Sequence, residues 1–275
     1  MAERIKARFA ELKAAGRAGF VAYVMAGDPD METTFSILRG LPGAGADIIE
    51  VGFPFSDPMA EGPTIQRASE RALTAGATLN GVLALVRRFR DGDQTTPVVM
   101  MGYLNVLLTH GLVDFGRDAA AAGVDAVIVV DCPPEEADPL ADALDAAGVT
   151  LIRLATPTSD DARLKVIARR TAGFVYYVSV AGVTGVKAVD EAGVGPAVER
   201  IRRATGLPVA VGFGIRTPEQ AASVARSADA VVVGSALVDA IESAAAANEN
   251  VTSRVLETAA RLAQAVRAVG QTVQA

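Results

Sequence analysis

GADIIEVGFPFSDPMAEGPTIQRA, residues 45–68, is the stretch on which the fold turns. It opens as a buried strand, yet Glu50 stands between Ile49 and Val51, where an apolar residue belongs. A lone carboxylate in that setting is costly unless it is paired or protonated. Next comes a loop too rich in Pro and Gly for regular structure, with Gly52, Pro54, Pro58, Gly62 and Pro63. It carries two further acids, Asp57 and Glu61, and a helix is expected from Thr64. A strand that ends on a buried acid and opens into a stiff acidic loop points to a reaction centre.

The rest of the chain repeats the strand part of this pattern. Eight short apolar runs lie at 19–25, 47–52, 97–101, 125–130, 149–154, 173–179, 208–212 and 229–234. Their near-continuous Val and Ile content suits strands covered on both faces, as in a parallel sheet. Helical patterns fill the gaps at 32–41, 64–75, 79–89, 112–122, 135–147, 162–170, 194–204 and 219–226, and 251–269 closes the chain. A weak repeat runs through AGADIIEVG (44–52), AGVDAVIVV (122–130), AGVTLIRLA (147–155) and SADAVVVGS (227–235). In each, a helix ends at a small residue, a polar residue opens the strand, and an apolar run follows. Eight such units predict an α/β protein with a (β/α)8 barrel. An open doubly wound sheet is the alternative, but no GxGxxG follows the first strand. No linker or composition shift divides the chain, so one barrel domain over 1–275 is expected. Ile5, Phe9 and Leu12 recur at helical spacing and predict an extra N-terminal surface helix.

Composition excludes several classes. The chain has 275 residues, 51% of them hydrophobic and 21% charged, a soluble globular profile. No apolar run reaches the roughly 18 residues of a membrane span, and the N-terminus lacks a signal-peptide core, so a cytoplasmic location is expected. A net charge of -6 argues against nucleic acid as a partner. The single cysteine, Cys132, permits no internal disulfide and reads as a small residue packed at a strand end. The single histidine, His110, excludes a histidine metal cluster, and no nucleophile motif accompanies it. Acid–base chemistry therefore falls to carboxylates.

In a barrel the working loops follow the strand C-termini. Three of them are glycine-rich: AGVTG (181–185), GFGI (212–215) and GSA (234–236). Glycine lets backbone N–H groups approach an anion closely, and Ser235 is placed to cap a short helix running to Ile241. Together they predict a phosphate site. Glu50 with Glu61 or Asp57 is the natural acid–base pair, because an apolar setting raises one carboxylate until it can donate a proton near neutrality. The structural alternative for Glu50 is a buried ion pair with Arg153, and for Asp57 a loop cap. Asp28 is expected either to cap the next helix or to touch a neighbouring subunit. The long loop 179–191 is a candidate lid.

At this point MAGDPD (25–30), EVGFPFSDPMAEGPTIQRA (50–68), MGYLN (101–105), VAGVTG (180–185), GFGI (212–215) and VGSALV (233–238) together resemble the tryptophan synthase alpha subunit family. The likeness spans nearly the whole chain, and PFSDP…GPTIQ is its most specific part. It implies a lyase of tryptophan biosynthesis that cleaves indole-3-glycerol phosphate to indole and glyceraldehyde 3-phosphate in a retro-aldol step, with no cofactor or metal in this chain. Glu50 matches the family's general acid/base. Glu61 stands where the family has Asp, which binds the indole N–H; the charge is kept and the arm lengthened. Tyr176, Tyr23, Ile65, Met101, Ile128 and Phe213 match substrate-lining positions, with Tyr23 and Met101 replacing the commoner Phe and Leu. Thr184 matches the lid residue that holds the second acid. Gly185, Gly214, Gly234 and Ser235 match the phosphate binders, and Val180 stands where relatives often carry Arg.

The resemblance also implies a partner, a beta subunit carrying pyridoxal phosphate, in an α2β2 complex. Pro54, Phe55, Pro58 and Asn105 match its docking surface, with Asp28 beside them. Two other functions are weighed. A ribulose-phosphate epimerase-like barrel needs His-assisted metal binding, for which one histidine is too few. An interaction protein that activates the beta subunit while its own chemistry is weak is invited only by Glu61.

Overall fold

The computed structural model describes residues 3–179, 191–212 and 214–270. In chain order its elements are α1 (Glu3–Ala14), β1 (Gly19–Met25), α2 (Met31–Gly40), β2 (Ile48–Gly52), α3 (Pro63–Thr74), α4 (Leu79–Arg90) and β3 (Val98–Gly102). Then follow α5 (Leu104–His110), α6 (Leu112–Ala122), β4 (Ala126–Val129), α7 (Asp138–Ala147), β5 (Thr150–Ile152), β6 (Leu154–Ala155), α8 (Asp161–Ala168) and β7 (Val175–Val178). The chain continues through α9 (Glu191–Thr205), β8 (Val209–Gly212), α10 (Pro218–Ala225), β9 (Ala230–Val233), α11 (Ser235–Ala246) and α12 (Val251–Arg267).

All neighbouring strands pair in parallel, in the order β5-β4-β3-β2-β1-β9-β8-β7-β6. The two outermost strands are successive pieces of one run, separated only by Arg153, so the sheet curls round to itself. The run expected as one strand at 149–154 is thus broken in two. The ladder to β4 ends at the Ile128↔Ile152 pair, and the ladder to β7 begins with Leu154↔Tyr176. The architecture is the (β/α)8 barrel.

Alternation along each strand sorts the core into two layers. Val21, Tyr23, Met25, Ile48, Val99, Met101, Ile128, Tyr176 and Val232 pack together inside the barrel. Phe20, Val24, Ile49, Val51, Met100, Val127, Val211 and Val231 pack outward against the helices. Side chains two apart share a face, so Glu50 points inward with Ile48. The register sets Tyr23 directly beside it on β1.

The repeat has a physical meaning at the strand N-termini. Asp47, Asp125 and Asp229 each accept from a backbone amide of the preceding strand, from Phe20, Val98 and Val209, at 2.8–2.9 Å. Each also meets an arginine, Arg17, Arg90 and Arg202 respectively, at 2.7–3.0 Å. The third repeat, AGVTLIRLA, puts Thr150 in that place. The N-terminal helix lies on the surface, but its stripe does more than cover it. Ile5, Phe9 and Leu12 join the inner core, and Phe9 meets Phe174 with ring centres 5.7 Å apart, closing the barrel floor.

Three other differences from expectation have local causes. α3 starts at Pro63, one residue early, because proline suits the first helical position. α7 starts at Asp138 rather than at 135, behind Pro133 and Pro134. A short helix, α5, was not expected; LNVLLTH forms it, and Gly111 at φ 91° ends it.

Candidate active site

The inward acid of β2 opens into a cavity at the C-terminal end of the barrel. Tyr23, Glu50, Glu61, Ile65, Met101, Tyr176, Gly214, Ile215, Val232, Gly234 and Ser235 line it. Glu50 arrives from the strand, and Glu61 from the loop between β2 and α3. Only 1% of Glu50 and 7% of Glu61 is exposed. Of the two candidate partners for Glu50, Glu61, which the resemblance favours, lines the cavity, whereas Asp57 is exposed and accepts from the Ser56 hydroxyl at 2.6 Å, outside that lining.

Burial governs both acids. It raises the Glu50 carboxyl to about 8, with the Glu61 charge as the second cause. It raises Glu61 to about 7. One Glu50 oxygen, Oε2, has no hydrogen-bond partner among the described residues. The ion pair with Arg153 does not form. Alternation sends Arg153 outward, with Leu151 and Ala155, while Glu50 faces in. The result is a pair of buried carboxyl groups, both raised into the neutral range, that can share one proton near pH 7. The phenols of Tyr23 and Tyr176 are pushed well up, by burial first and the two acids next, so they stay neutral.

The loop bearing Glu61 is held at several points. The amide of Ala60 donates to the Tyr103 hydroxyl at 2.9 Å, and the Gln66 side chain donates to the Glu61 carbonyl at 3.0 Å. Ser69 accepts from the Phe55 amide at 3.0 Å and donates back to its carbonyl at 2.8 Å. Tyr103 was not singled out from the sequence. Only tertiary proximity gives it this work, and MGYLN carries no local sign of it.

The opposite wall is the anion side. Gly214 adopts φ 76°, a conformation that favours glycine, and turns the chain after β8. α11 begins at Ser235 with its N-terminus at the cavity, where the helix dipole and free amides favour negative charge. Two expectations change here. Gly234, not Ser235, occupies the cap position, and no side chain caps the helix. The helix also runs past Ile241 to Ala246, because Leu237, Val238, Ile241 and Ala244 continue its buried stripe. Two glycines matter for a reason that their turn chemistry hides. A Cβ on Gly52 would sit 2.3 Å from the Tyr23 hydroxyl oxygen, and one on Gly212 2.3 Å from that of Tyr176. Both glycines make room for the phenols that wall the cavity.

The remaining predicted residues fall elsewhere. Ile128 packs in the inner core without lining the cavity. Ile215 and Val232 line it and were not anticipated. Thr184, Gly185 and Phe213 lie outside the described residues, as does most of the candidate lid at 179–191. Asp28 does not cap α2; Asp30 does, accepting from Thr33 N at 2.8 Å. Asp28 is wholly buried in a two-pronged pair with Arg71, both bonds 2.8 Å, so it cannot form part of an outer surface. Pro54 is buried too, and Phe55 is half-buried against Tyr103, ring centres 5.1 Å apart. The expected exposed patch therefore reduces to the edge of Phe55 with Pro58 and Asn105, next to the strongly exposed Met59 and Leu108. His110 meets Asp118 at 3.0 Å, outside the cavity lining. Among the described residues no group of His, Cys, Asp or Glu could hold a metal. No described helix is long and apolar enough to cross a membrane.

Comparison with known proteins gives this geometry its family. The family model for the tryptophan synthase alpha chain matches residues 9–267. The tryptophan synthase alpha chain of Phenylobacterium zucineum is 72% identical over 264 residues, 96% of this chain and 95% of that one. That of Caulobacter vibrioides is 70% identical over 265 residues, 96% of each. Among solved structures, the alpha subunit from Legionella pneumophila superposes with a TM-score of 0.89 at 40% identity, covering 96% of this chain and 98% of that one. A chain of Mycobacterium tuberculosis tryptophan synthase gives 0.87 at 36% identity, covering 97% and 99%. The chain belongs to the tryptophan synthase alpha chain family.

Proposed function

We propose that Glu50 is the proton donor, and Glu61 the charge-stabilising acid, of the lyase reaction that goes with this family. That reaction is the cleavage of indole-3-glycerol phosphate in tryptophan biosynthesis. The supporting observation is the pairing of two buried carboxyl groups, raised to about 8 and about 7, across one cavity. Protonated Glu50 delivers its proton to indole C3, which makes the ring an iminium. Glu61, ionised, faces the ring N–H and offsets the positive charge that develops there. The side-chain hydroxyl next to the ring then gives up its proton to a base, for which the newly ionised Glu50 is the candidate. The C–C bond breaks, its electron pair returns to the ring, and indole and glyceraldehyde 3-phosphate result. Gly214, Gly234, Ser235 and the start of α11 fit the phosphate, with Gly185 proposed to join them. Tyr23, Ile65, Met101 and Tyr176 enclose the indole, with Phe213 and Thr184 assigned beside them on the resemblance alone.

A beta subunit is the partner that the family implies. We place its docking on the face bearing Phe55, Pro58 and Asn105, with pyridoxal phosphate on the partner and no cofactor in this chain. The test is direct. The purified chain with indole-3-glycerol phosphate should release indole slowly, and faster once a beta subunit is added. Glu50→Gln should abolish release while a non-cleavable phosphate analogue still binds. Retained turnover in that variant removes Glu50 from the acid role.

A further inference from the structure

Arg153 breaks the fifth barrel strand and forms no ion pair among the described residues, with Asp138 and Glu135 acting on it only from a distance. It is 6% exposed, and its Nε and Nη1 are buried with no hydrogen-bond partner among the described residues. A buried guanidinium normally has its donors satisfied and an anion at hand, because both the desolvated charge and the unmade hydrogen bonds are costly. The nearby acids are engaged elsewhere. Glu135 pairs with Arg163, and Asp138 lies 3.6 Å from Arg170. Asp131 accepts from the Leu104 amide at 2.8 Å. The thiol of Cys132 supplies no charge either, since burial pushes it up, Arg153 notwithstanding.

Arg153 also lines a cleft of about 330 Å³, formed where β4 and the split strand part after the Ile128↔Ile152 pair. Val129, Val130, Pro133, Leu151, Ile152 and Leu154 make most of its wall apolar. It shares no lining residue with the cavity of Glu50 and Glu61. Cation and cleft are independent observations that point to one kind of occupant.

We propose that this cleft binds a monocarboxylate with a small apolar body, its carboxylate on Arg153 and its body against the aliphatic wall. One positive charge inside and acids at the rim favour a single negative charge over a phosphate dianion. A volume of this size admits a molecule of one aromatic ring.

Benzoate is the probe, with benzamide as its neutral isostere and inorganic phosphate as the competing anion. Each is titrated into the full chain at constant ionic strength and followed by amide chemical shifts. Benzoate should saturate in the millimolar range, shift residues 129–134 and 151–154, and slow alkylation of Cys132 by iodoacetamide. Benzamide should bind at least tenfold more weakly, and phosphate should not compete. Arg153→Met should lose the benzoate response while releasing indole at the wild-type rate. Equal binding of benzamide and benzoate, tighter binding of phosphate, or shifts confined to the Glu50 cavity each overturn the proposal. Should the variant not fold, the benzoate–benzamide comparison on the wild-type chain decides.

Discussion

The backbone amide of Ala60 donates to the hydroxyl of Tyr103 at 2.9 Å, and the next residue is the second acid of the cavity. Tyr103 follows β3 directly and is 3% exposed, so it ties a Pro- and Gly-rich loop to the rigid barrel. Its hydroxyl is pushed up by burial and stays protonated. Removing that hydroxyl should loosen Glu61 and leave the Phe55 ring contact intact. One hydrogen bond is worth about 0.5–1.5 kcal/mol net. Tyr103→Phe should therefore lower kcat for indole release about 3- to 10-fold, with a smaller change in KM. Steady-state kinetics test this, and an unchanged kcat removes Tyr103 from the positioning role.

Glu61 is the position where chain length and loop geometry meet. Its backbone is set from both sides, by the Tyr103 contact at Ala60 and by Gln66 at its own carbonyl, 3.0 Å away. A loop so anchored does not advance to follow a shorter arm. Glu61→Asp should then reduce kcat about 10- to 100-fold, the usual consequence of misplacement on the ångström scale. A rate increase would show instead that the longer acid overshoots the ring nitrogen.

Activity should follow pH as a bell. The proposed mechanism needs Glu50 protonated and Glu61 ionised. Raised values of about 8 and about 7 place the two limbs there, as macroscopic constants of the pair. Below about 7 the second acid gains its proton and the rate falls. Above about 8 the first loses its own and the rate falls again. Measurements of kcat/KM from pH 5.5 to 9.5 check this, and Glu61→Gln should erase the acid limb along with most of the rate. A flat profile would contradict the assignment.

The same two groups make stability depend on pH. Each has a folded-state value above the ordinary 4.5, so between 4.5 and 8 the folded chain binds more protons than the unfolded one. Stability must then fall as pH rises through that window. Glu50→Gln, neutral throughout, should match the wild type near pH 5. At pH 8.5 it should melt about 4–8 °C higher, allowing roughly 2 °C per kcal/mol for a chain of this size. Calorimetry at the two pH values is the test; an equal gap at both would mean that burial does not hold Glu50 neutral.

By itself the sequence determined the periodic part of this protein. Val- and Ile-rich runs alternating with amphipathic stretches specify parallel strands covered by helices, because each local pattern suits only one way of burying apolar surface. Even the strand-opening aspartates are visible as a repeat. Glu50 was legible for the same reason: a charge in an apolar run is an anomaly that needs no neighbours to detect. What depends on distance along the chain was not legible. Spacing alone leaves Glu61 and Asp57 open, since both sit on one irregular loop with no period to orient them; the family motif singles out Glu61, and the closed barrel puts it in the cavity while Asp57 is exposed. Only the barrel shows that Tyr103 steadies that loop, that Gly52 and Gly212 clear space for Tyr23 and Tyr176, and that Asp28 is sealed against Arg71. Arg153 marks the boundary most plainly. Its position in a strand reads as a partner for Glu50, but side chains alternate across a sheet, and the barrel wall separates the two.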